Sequence, residues 1–590
     1  MITLFVVLPL IIAAFLALVL RNEPKAVKYI AFLSSIVTLG IAVYLFLSPA
    51  AVQSFTWFNV GALFFNISTS TAPINMFMLM LVSIITPLIF LYSIGFMETP
   101  SEQPRFYFEI CIFAASMMLF AISSNLITMF IAWEMLGITS YMLIGFWYQK
   151  EKAPTAARKA ITTILIGDIA MLIGILIIGA TYGTFEFSAL LSLPASSSLS
   201  IGLVLILIGA FTKSAQFPFH EWLPDAMEGP TPVSAFLHSS TMVKAGVFLI
   251  AVLLPLYVEA GLLDLILVVG IISALLGVSN ALAEKHIKKV LAYSTIEDLG
   301  LMFIALGLNA FVAAMMLFFV QTFYKALLFM NAGSIMKAND EREDIYHIYG
   351  ATVNKSVFIT LLIGVLSIAG IFPLSGFFGK NLLESSANNI AVYLLLLVIE
   401  LGTSLYIFRW LFVMMKKSYE SEGAVTINYK SLPKTMIIPT YVLAILVVGG
   451  SAFYTTLPTY LSTGSLSYSS ITIESAAIGT VVALLGIIIA YRIYKQGHRM
   501  HFASTNKTAF SILYNSTIVN GAYLRLIEVF TYLGGVIGYN DFAFDKSTYG
   551  LAQATVSSGN ILKKIVNGQL NLYVLGFVLG LMLLLVAFAL

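Results

Sequence analysis

Long apolar runs separated by short polar stretches recur along this chain from its first residues to its last. A run of about 20 apolar residues is long enough for a helix to cross the roughly 30 Å hydrocarbon core of a bilayer. A membrane β-barrel would instead show short segments that alternate between apolar and polar residues. The pattern therefore predicts an all-α polytopic membrane protein with about 16 transmembrane helices. We place these spans at about 2–20, 28–47, 74–97, 106–123, 125–147, 161–181, 200–217, 233–256, 261–282, 288–308, 311–336, 354–388, 390–415, 434–455, 474–494 and 571–590.

Two of the predicted spans are interrupted by proline in a similar way. Lys213 stands five residues before Pro218, and Lys380 stands seven residues after Pro373. Proline frees a helix carbonyl, which lipid cannot satisfy but a wet cavity can. A single proline would more simply kink a packed span. Two breaks, each with a lysine, favour a transporter built from two inverted repeats, with its site near mid-membrane.

Composition narrows the class of protein further. The chain is 59% apolar and only 10% charged, whereas a soluble domain is typically about 25% charged. One cysteine, Cys111, excludes disulfides within the chain and any cysteine-ligated metal or iron–sulfur centre. The net charge of +3 is too small to indicate nucleic acid. We find no phosphate-binding glycine loop, metal-ligand cluster or nucleophile with a spaced base, so we expect no cofactor and no redox chemistry in this chain.

Charge is distributed unevenly between alternate loops, and this asymmetry predicts the orientation. The loops on one side carry almost no Lys or Arg. By the positive-inside rule the basic loops are cytoplasmic and the N-terminus faces outward, with Met1–Leu20 as a retained first helix. The basic residues are Arg21, Lys25 and Lys28; Lys150, Lys152, Arg158 and Lys159; Lys285, Lys288 and Lys289; Lys416 and Lys417; and Arg492, Lys495 and Arg499.

Three ionisable residues of the first half are expected to lie within the membrane. Glu134 stands near the centre of its span, and Lys213 is its natural partner, because a buried carboxylate prefers to be neutral unless a cation is near. Asp168 is a second acid that could gate this pair. A pair of this kind can trade protonation states; the alternative is a static buried salt bridge.

Further ionisable residues extend the row. His238 and Lys244 share one predicted helix, six residues and about 9 Å apart along its axis. His238 titrates near neutrality and suits a relay, although a single helix histidine is more often a satisfied polar contact. Lys244 can contact the second half of the chain, or its long side chain can extend so that the ammonium lies at the membrane–water interface. Glu400 and Arg409 are out of phase on their helix, so we do not expect them to pair. The row continues with Glu297, Asp298, Lys325 and Lys380, and protons need only such a row with water between its members.

Five stretches within about residues 75–410 closely resemble the antiporter-like subunits of respiratory complex I and of Mrp-type cation/proton antiporters. The resemblance implies that Glu134 is the glutamate of the family's fifth helix, Lys213 the lysine of its broken seventh helix and Lys380 the lysine of its broken twelfth. It implies that the connecting groups are Asp168, His238 and Lys325. The five stretches are WEMLGITSYMLIGFWY, KSAQFPFHEWLPDAMEGPTPVSAFLHSSTMVKAG, KKVLAYSTI, FYKALLF and GFFGK.

The same resemblance implies the function. Family members leave electron transfer to other subunits and use these charges to move protons. The chain is therefore expected to be a non-redox, proton-translocating subunit of a complex-I-like quinone oxidoreductase in the cell membrane. Its expected partners are the other membrane-arm subunits, the lipid bilayer and protons as the transported ion.

The C-terminal part looks like that of the distal L subunit of complex I, in which a lateral helix runs along the membrane arm to a last anchoring helix. Residues 497–570 are too polar to span but keep apolar residues at helical spacing, as a cytoplasmic lateral helix would. A disordered linker is the alternative. The expected division is 1–105, N-terminal helices; 106–256 and 257–416, two antiporter-like half-units; 417–496, additional helices; 497–570, lateral helix; and 571–590, anchoring helix.

The chain departs from the family pattern at three places. Gln321 stands where a relay histidine is usual, and Asn381 stands where an acid usually follows the lysine of the twelfth helix. Glu297 and Asp298 replace a usual Ser-Gln, a change reminiscent of membrane-bound hydrogenases. An Mrp-type sodium/proton antiporter subunit and the membrane arm of a membrane-bound hydrogenase are the alternative functions. A purely structural scaffold would not need lysines in broken helices.

Overall fold

The computed structural model describes residues 2–61, 63–192, 197–348, 354–387, 389–415, 432–461 and 473–495. The predicted lateral helix and anchoring helix, at 497–570 and 571–590, lie outside the described residues. So do three of the basic loop residues, Lys416, Lys417 and Arg499.

Helices form almost all of the regular structure, because an apolar run in lipid must satisfy its backbone hydrogen bonds internally. The first part of the chain contains α1 (Leu8–Val19), α2 (Pro24–Leu47), α3 (Pro73–Phe96), α4 (Gln103–Ile122), α5 (Leu126–Ile144), α6 (Lys152–Tyr182), α7 (Phe187–Leu190) and α8 (Ser197–Lys213). The middle contains α9 (Trp222–Asp225), α10 (Thr231–Ser239), α11 (Ala245–Val252), α12 (Leu254–Glu259), α13 (Leu263–Ala283), α14 (Ile287–Gly307) and α15 (Phe311–Ala338). The last part contains α16 (Lys355–Ile368), α17 (Ser375–Ser385), α18 (Ile390–Met414), α19 (Lys434–Gly449), α20 (Thr456–Leu461) and α21 (Ile473–Ala490).

Twelve helical segments within the described residues are long and apolar enough to cross a membrane. Three shorter apolar helices, at Leu8–Val19, Leu199–Lys213 and Lys355–Ile368, add to them. The chain is therefore a multi-pass membrane protein, as predicted. The expected total of 16 spans includes one, at 571–590, that lies outside the described residues.

A β-hairpin corrects the all-α prediction locally. Residues 48–72, which the apolar pattern leaves as a loop, contain strands β1 (Gln53–Val60) and β2 (Leu63–Thr69), paired antiparallel. Their register shifts between Thr56 and Phe58. Both strands are rich in aromatic and β-branched residues, which favour extended backbone. The membrane-spanning part of the described chain remains helical.

Both predicted proline breaks are confirmed. In the first, α8 ends at Lys213 and helix resumes only at α9; in the second, α16 ends at Ile368 and α17 begins at Ser375. Each break contains a cis peptide bond before proline, at Phe217-Pro218 and at Phe372-Pro373. The breaks place one lysine at the last residue of α8 and the other in the second turn of α17.

A third break was not predicted. His238 lies near the end of α10, and Lys244 lies in a separate 3-10 turn, Met242–Lys244, that leads into α11. The hydroxyl of Thr241 donates to the backbone carbonyl of Phe236 at 2.6 Å. Hydroxyl side chains compete with helix hydrogen bonds in this way. The prediction that His238 and Lys244 share one regular helix is therefore wrong.

Glycines allow two helix pairs to approach closely, one in each half. A Cβ built on Gly174 of α6 would lie 2.5 Å from the carbonyl oxygen of Gly202 on α8. A Cβ on Gly300 of α14 would lie 2.7 Å from the backbone nitrogen of Ala274 on α13. Small residues at such contacts let helix backbones pack closely in membranes. The α6–α8 contact brings Asp168 and Lys213 onto facing helices.

Candidate functional site: a row of buried ionisable groups

Lys213 forms the first centre of the row. It is fully buried, and its Nζ lies 3.6 Å from Oδ2 of Asp168 on α6. The ammonium donates to the carbonyl oxygen of Trp133 on α5 at 2.6 Å and lies 4.2 Å from the centre of the Trp133 ring. The indole Nε1 of Trp133 donates in turn to Asp168 Oδ1 at 2.6 Å. Three helices therefore hold one buried ion pair, with hydrogen bonds to both members.

Glu134 is not the direct partner of Lys213, so that predicted pairing is wrong in this structure. Among the described residues Glu134 makes no ion pair, and it is only half-buried. It lies about 100° around α5 from Trp133 and shares its face with Ile138, which is 51% exposed. A Cβ on Gly137 would lie 3.7 Å from Lys213 Nζ, so the face of Trp133 and Gly137 points at the lysine.

Lys244 reaches from the third break to the second half of the chain. Its Nζ donates to the carbonyl oxygen of Phe318 and to the hydroxyl of Thr322, both at 2.8 Å and both on α15. The ammonium also lies 4.5 Å from the centre of the Phe318 ring. His238 is buried with its ring 5.9 Å from that of Phe329, again on α15. The break thus turns both predicted relay residues towards the same helix.

Lys325 forms the second centre, and it repeats the chemistry of the first. Its Nζ lies 3.0 Å from Oδ2 of Asp298 on α14 and donates to the hydroxyl of Ser294. The hydroxyl of Tyr324 donates to the same carboxylate oxygen at 3.1 Å. The lysine is fully buried and the aspartate is 2% exposed. Asp298, whose role the sequence left open, is therefore the partner of Lys325.

Glu297 faces a different helix from its neighbour Asp298. It accepts hydrogen bonds from the hydroxyls of Thr403 and Tyr406 on α18, the second at 2.6 Å. Adjacent residues on a helix point about 100° apart, so two neighbouring acids contact different partners. Glu297 extends the row of charges from α14 towards α18.

Lys380 ends the row, and two carboxylates lie beside it. A cavity of about 10 Å³ is lined by Lys380 together with Glu384, one turn later on α17, and Glu400 of α18. Within the described chain, Lys380 Nζ has no hydrogen-bond partner. Asn381 stands where the family usually has an acid beside this lysine, and Glu384 and Glu400 supply carboxylates there instead. The sequence carried a signal for Glu384, because residues four apart on a helix are neighbours.

As predicted, Arg409 and Glu400 do not form an ion pair. Its Nη2 donates to the carbonyl oxygens of Ala281, at 3.0 Å, and of Glu284. The guanidinium therefore holds the C-terminal end of α13 against α18 and leaves Glu400 to the neighbourhood of Lys380.

Two further buried charges were missed at the sequence level. Lys288, counted with the basic loops, is buried and donates to the carbonyl oxygens of Met227 and, at 3.1 Å, Gly229. Glu109 of α4 is fully buried and pairs with Arg105 at 2.7 Å, one helical turn away. The Lys288 contacts tie the start of α14 to the turn at 226–229, and the charge of Lys288 acts on His238 of the row. The Arg105–Glu109 pair stays within α4.

Two family models match the chain. The first, described as NADH:quinone oxidoreductase/Mrp antiporter, transmembrane, matches residues 123–405. The second, described as NADH-ubiquinone oxidoreductase (complex I), chain 5 N-terminus, matches residues 57–107. All the relay residues from Glu134 to Lys380 lie within the first match.

Curated relatives match nearly the whole chain. NADH-quinone oxidoreductase subunit L of Mycobacterium tuberculosis is 32% identical over 553 residues, which cover 90% of this chain and 87% of the relative. NAD(P)H-quinone oxidoreductase subunit 5 of the organellar chromatophore of Paulinella chromatophora is 31% identical over 606 residues, which cover 92% and 90%.

Solved structures share the fold. The Mrp complex from Dietzia sp. matches with a TM-score of 0.75 and 22% identity, over 95% of this chain and 63% of the matched chain. An archaeal respiratory membrane complex, the membrane-bound sulfane sulfur reductase, matches with a TM-score of 0.69 and 18% identity, over 82% of this chain and 99% of the matched chain.

Proposed function

This chain belongs to the subunit L and subunit 5 family of NADH- and NAD(P)H-quinone oxidoreductases, the antiporter-like subunits of complex I, and on that premise we propose that it is a proton-translocating membrane-arm subunit. It performs no redox step itself. Electron transfer to quinone takes place in other subunits of the complex, and this chain uses the released energy to move protons across the membrane.

The observation that carries the proposal is a buried lysine–aspartate pair in each half of the matched region. Lys213 pairs with Asp168 at 3.6 Å, and Lys325 pairs with Asp298 at 3.0 Å. Intramembrane charges of this kind are expensive and mark proton or ion paths. When a proton leaves either lysine the pair loses its attraction, so each arriving proton changes the charge that the next group experiences.

The relay connects the two pairs through the third break. Lys244 contacts Thr322, which precedes Lys325 by one turn of α15. Gln321, in place of the usual histidine, is fully buried, and both its polar side-chain atoms lack a hydrogen-bond partner within the described chain. Polar atoms buried in this way bind water, which can carry a proton across the position. The relay residues are Asp168, Lys213, His238, Lys244, Lys325 and Lys380, with Glu134 acting on the first pair.

Glu134 indicates how the chain meets its partners. A half-buried carboxylate on an exposed helix face needs a partner outside the chain when that face lies in a membrane. We place it at the contact with a neighbouring membrane-arm subunit, from which it acts on Lys213 through their mutual electrostatic attraction.

We propose that the chain lies in the plasma membrane, with its basic loops in the cytoplasm and its N-terminus outside. The two half-units, 106–256 and 257–416, each contain one helix broken at a proline and one lysine–aspartate pair. This repetition supports dividing the chain at those boundaries.

Replacing Lys213 with alanine in the assembled complex tests the proposal. We expect protons pumped per quinone reduced to fall to background in inverted membrane vesicles, because the first pair loses its proton carrier. Glu134→Ala should lower the same ratio. Lys25→Ala is the matched control, since Lys25 is exposed in the first turn of α2, away from the row. Unchanged pumping in both the Lys213 and the Glu134 variant would refute the relay.

The two alternative functions use similar charges but differ in ion and in partners. The resemblance of FTKSAQFPF, at 211–219, and HSSTMVKAG, at 238–246, to Mrp subunits favours the antiporter alternative. Sodium-driven proton movement without quinone reduction, and neighbouring genes for small antiporter subunits, would support it. Neighbouring genes for quinone reductase subunits would support the leading proposal.

A further inference from the structure

Glu384 and Glu400 face each other at the end of the row. They are 4% and 2% exposed. A Cβ built on Gly479 of α21 would lie 3.2 Å from Oε2 of Glu384 and 3.3 Å from Oε2 of Glu400. The two oxygens are therefore within about 6.5 Å of each other, the sum of those distances. The missing side chain of Gly479 leaves room for both carboxylates.

When both carboxylates are ionised, several of their oxygens have no hydrogen-bond donor. Oε2 of Glu384 and both carboxylate oxygens of Glu400 have no hydrogen-bond partner within the described chain. An ionised carboxylate only accepts hydrogen bonds, so two of them cannot bond to each other. One added proton converts one of them into a donor and satisfies an oxygen of the other. The geometry therefore favours a shared proton.

The local charge leads to the same conclusion. Lys380 of α17 is the one cation that lines this cavity in the described chain, and two ionised carboxylates would leave an excess negative charge beside it. The cavity, at about 10 Å³, holds about one water molecule, too few to solvate that charge or a metal ion. Neighbouring carboxylates in such surroundings do not both ionise. Glu297 of α14 and Lys325 of α15 also act electrostatically on Lys380.

We propose that Glu384 and Glu400 share one exchangeable proton and form the terminal proton-accepting pair of the relay. The pair takes the role of the acid that usually follows the lysine of the twelfth helix, where this chain has Asn381. This inference rests on the proposed function. It adds two proton-carrying residues and assigns the last acceptor to a carboxyl pair.

The step balances as a proton transfer. The acid member of the pair releases its proton to water as the ammonium of Lys380 gives a proton to the ionised member, so the pair keeps one proton throughout. This leaves a neutral amine, one carboxylic acid and one carboxylate, and Lys380 then takes the next proton from the relay. No oxidant or reductant takes part.

Infrared difference spectroscopy of the assembled complex tests the shared proton directly. We expect a carbonyl band of a protonated carboxylic acid, shifted by deuterium exchange, that disappears in Glu384→Gln and also in Glu400→Gln. Glu474→Gln, an exposed acid on α21, should leave the band unchanged. A band that survives in either variant of the pair, or is absent from the unmodified complex, would overturn the inference.

Pumping measurements separate this inference from the proposed function. Glu384→Gln and Glu400→Gln should each lower protons pumped per quinone several-fold, and Asn381→Asp should restore part of the loss in the Glu400→Gln background. Normal pumping in both single variants, together with its loss in Lys213→Ala, would reject the pair and keep the function. Normal pumping in Lys213→Ala and Glu134→Ala as well would reject the function itself.

Gly479→Ala provides a test that leaves both acids in place. Its methyl group would lie 3.2 and 3.3 Å from the two carboxylate oxygens, tighter than an ordinary contact, so it should displace the pair and shift the band. Gly449→Ala is the matched control, because a Cβ there meets nothing within 4 Å. An unshifted band in Gly479→Ala would contradict the assigned geometry.

Discussion

Asp298 holds Lys325 in a contact from which water is excluded. The lysine is fully buried and the aspartate is 2% exposed, with 3.0 Å between them. At that depth an ion pair depends on both of its members. Removing one leaves an uncompensated charge, which costs about 3–5 kcal/mol, whereas replacing both with apolar groups is often close to neutral.

Asp298→Asn should therefore abolish pumping and destabilise the assembled complex, because Lys325 must lose its proton or remain buried and unpaired. Asp298→Asn combined with Lys325→Met should recover much of the thermal stability without recovering pumping. Thermal unfolding of the purified complex and proton uptake by vesicles measure the two effects. If the double variant were no more stable than Asp298→Asn, the contact would not be a buried ion pair.

At the level of single residues, the sequence predicts the charged members of the site but not their partners. The buried lysines and acids stand out by type, since charged residues are rare in apolar spans. Their partners depend on helix rotation and on contacts between distant helices. The sequence pattern therefore pairs Lys213 with Glu134, although Asp168 is the residue in contact. The apolar span makes Glu400 stand out, whereas Glu384, four residues after Lys380, lies in a more polar stretch and does not.

Helix packing controls whether the first pair can form. Asp168 and Lys213 face each other because α6 and α8 approach closely at Gly174. A Cβ at this position would lie 2.5 Å from the carbonyl oxygen of Gly202 and 2.9 Å from the Cβ of Leu205. Neither of those atoms belongs to the end of a flexible side chain. Any side chain at position 174 must therefore move the helices apart.

Gly174→Ala should destabilise the complex by about 1–3 kcal/mol, the usual effect of overpacking, and lower pumping by lengthening the Lys213–Asp168 contact. The control is Gly40→Ala on α2, where a Cβ meets nothing within 4 Å. Thermal stability and protons pumped per quinone are compared between the two variants. Equal behaviour would mean that α6 and α8 adjust without disturbing the pair.

At the scale of elements, the sequence predicted the spans and both proline breaks because apolar runs and prolines act locally. It missed the third break, which has no proline and depends on the hydroxyl of Thr241 bonding to the carbonyl of Phe236. It also missed the hairpin β1–β2, whose mixed polar and aromatic residues resemble a loop when only span-length apolar runs are considered.

The two halves of the matched region are joined by a direct contact as well as by the chain. Lys244, which follows the third break of the first half, donates to Phe318 and Thr322 of α15 in the second. Lys325 lies one turn beyond Thr322 on that helix. This continuity favours one path through both lysine–aspartate pairs over two channels that work in parallel.

The two arrangements predict different stoichiometry. With one path, Lys213→Ala and Lys325→Ala should each reduce protons pumped by this chain to background, and the double variant should be no worse than either, because each removes a necessary step of the same process. Two parallel channels would instead lose about half in each single variant and the remainder in the double. Protons pumped per quinone, measured in vesicles with equal amounts of assembled complex, distinguish them. Lys244→Met gives an independent check, because it removes the contact with α15. It should lower protons pumped per quinone as much as either single lysine variant does. Intact pumping in Lys244→Met would exclude a single path through Lys244.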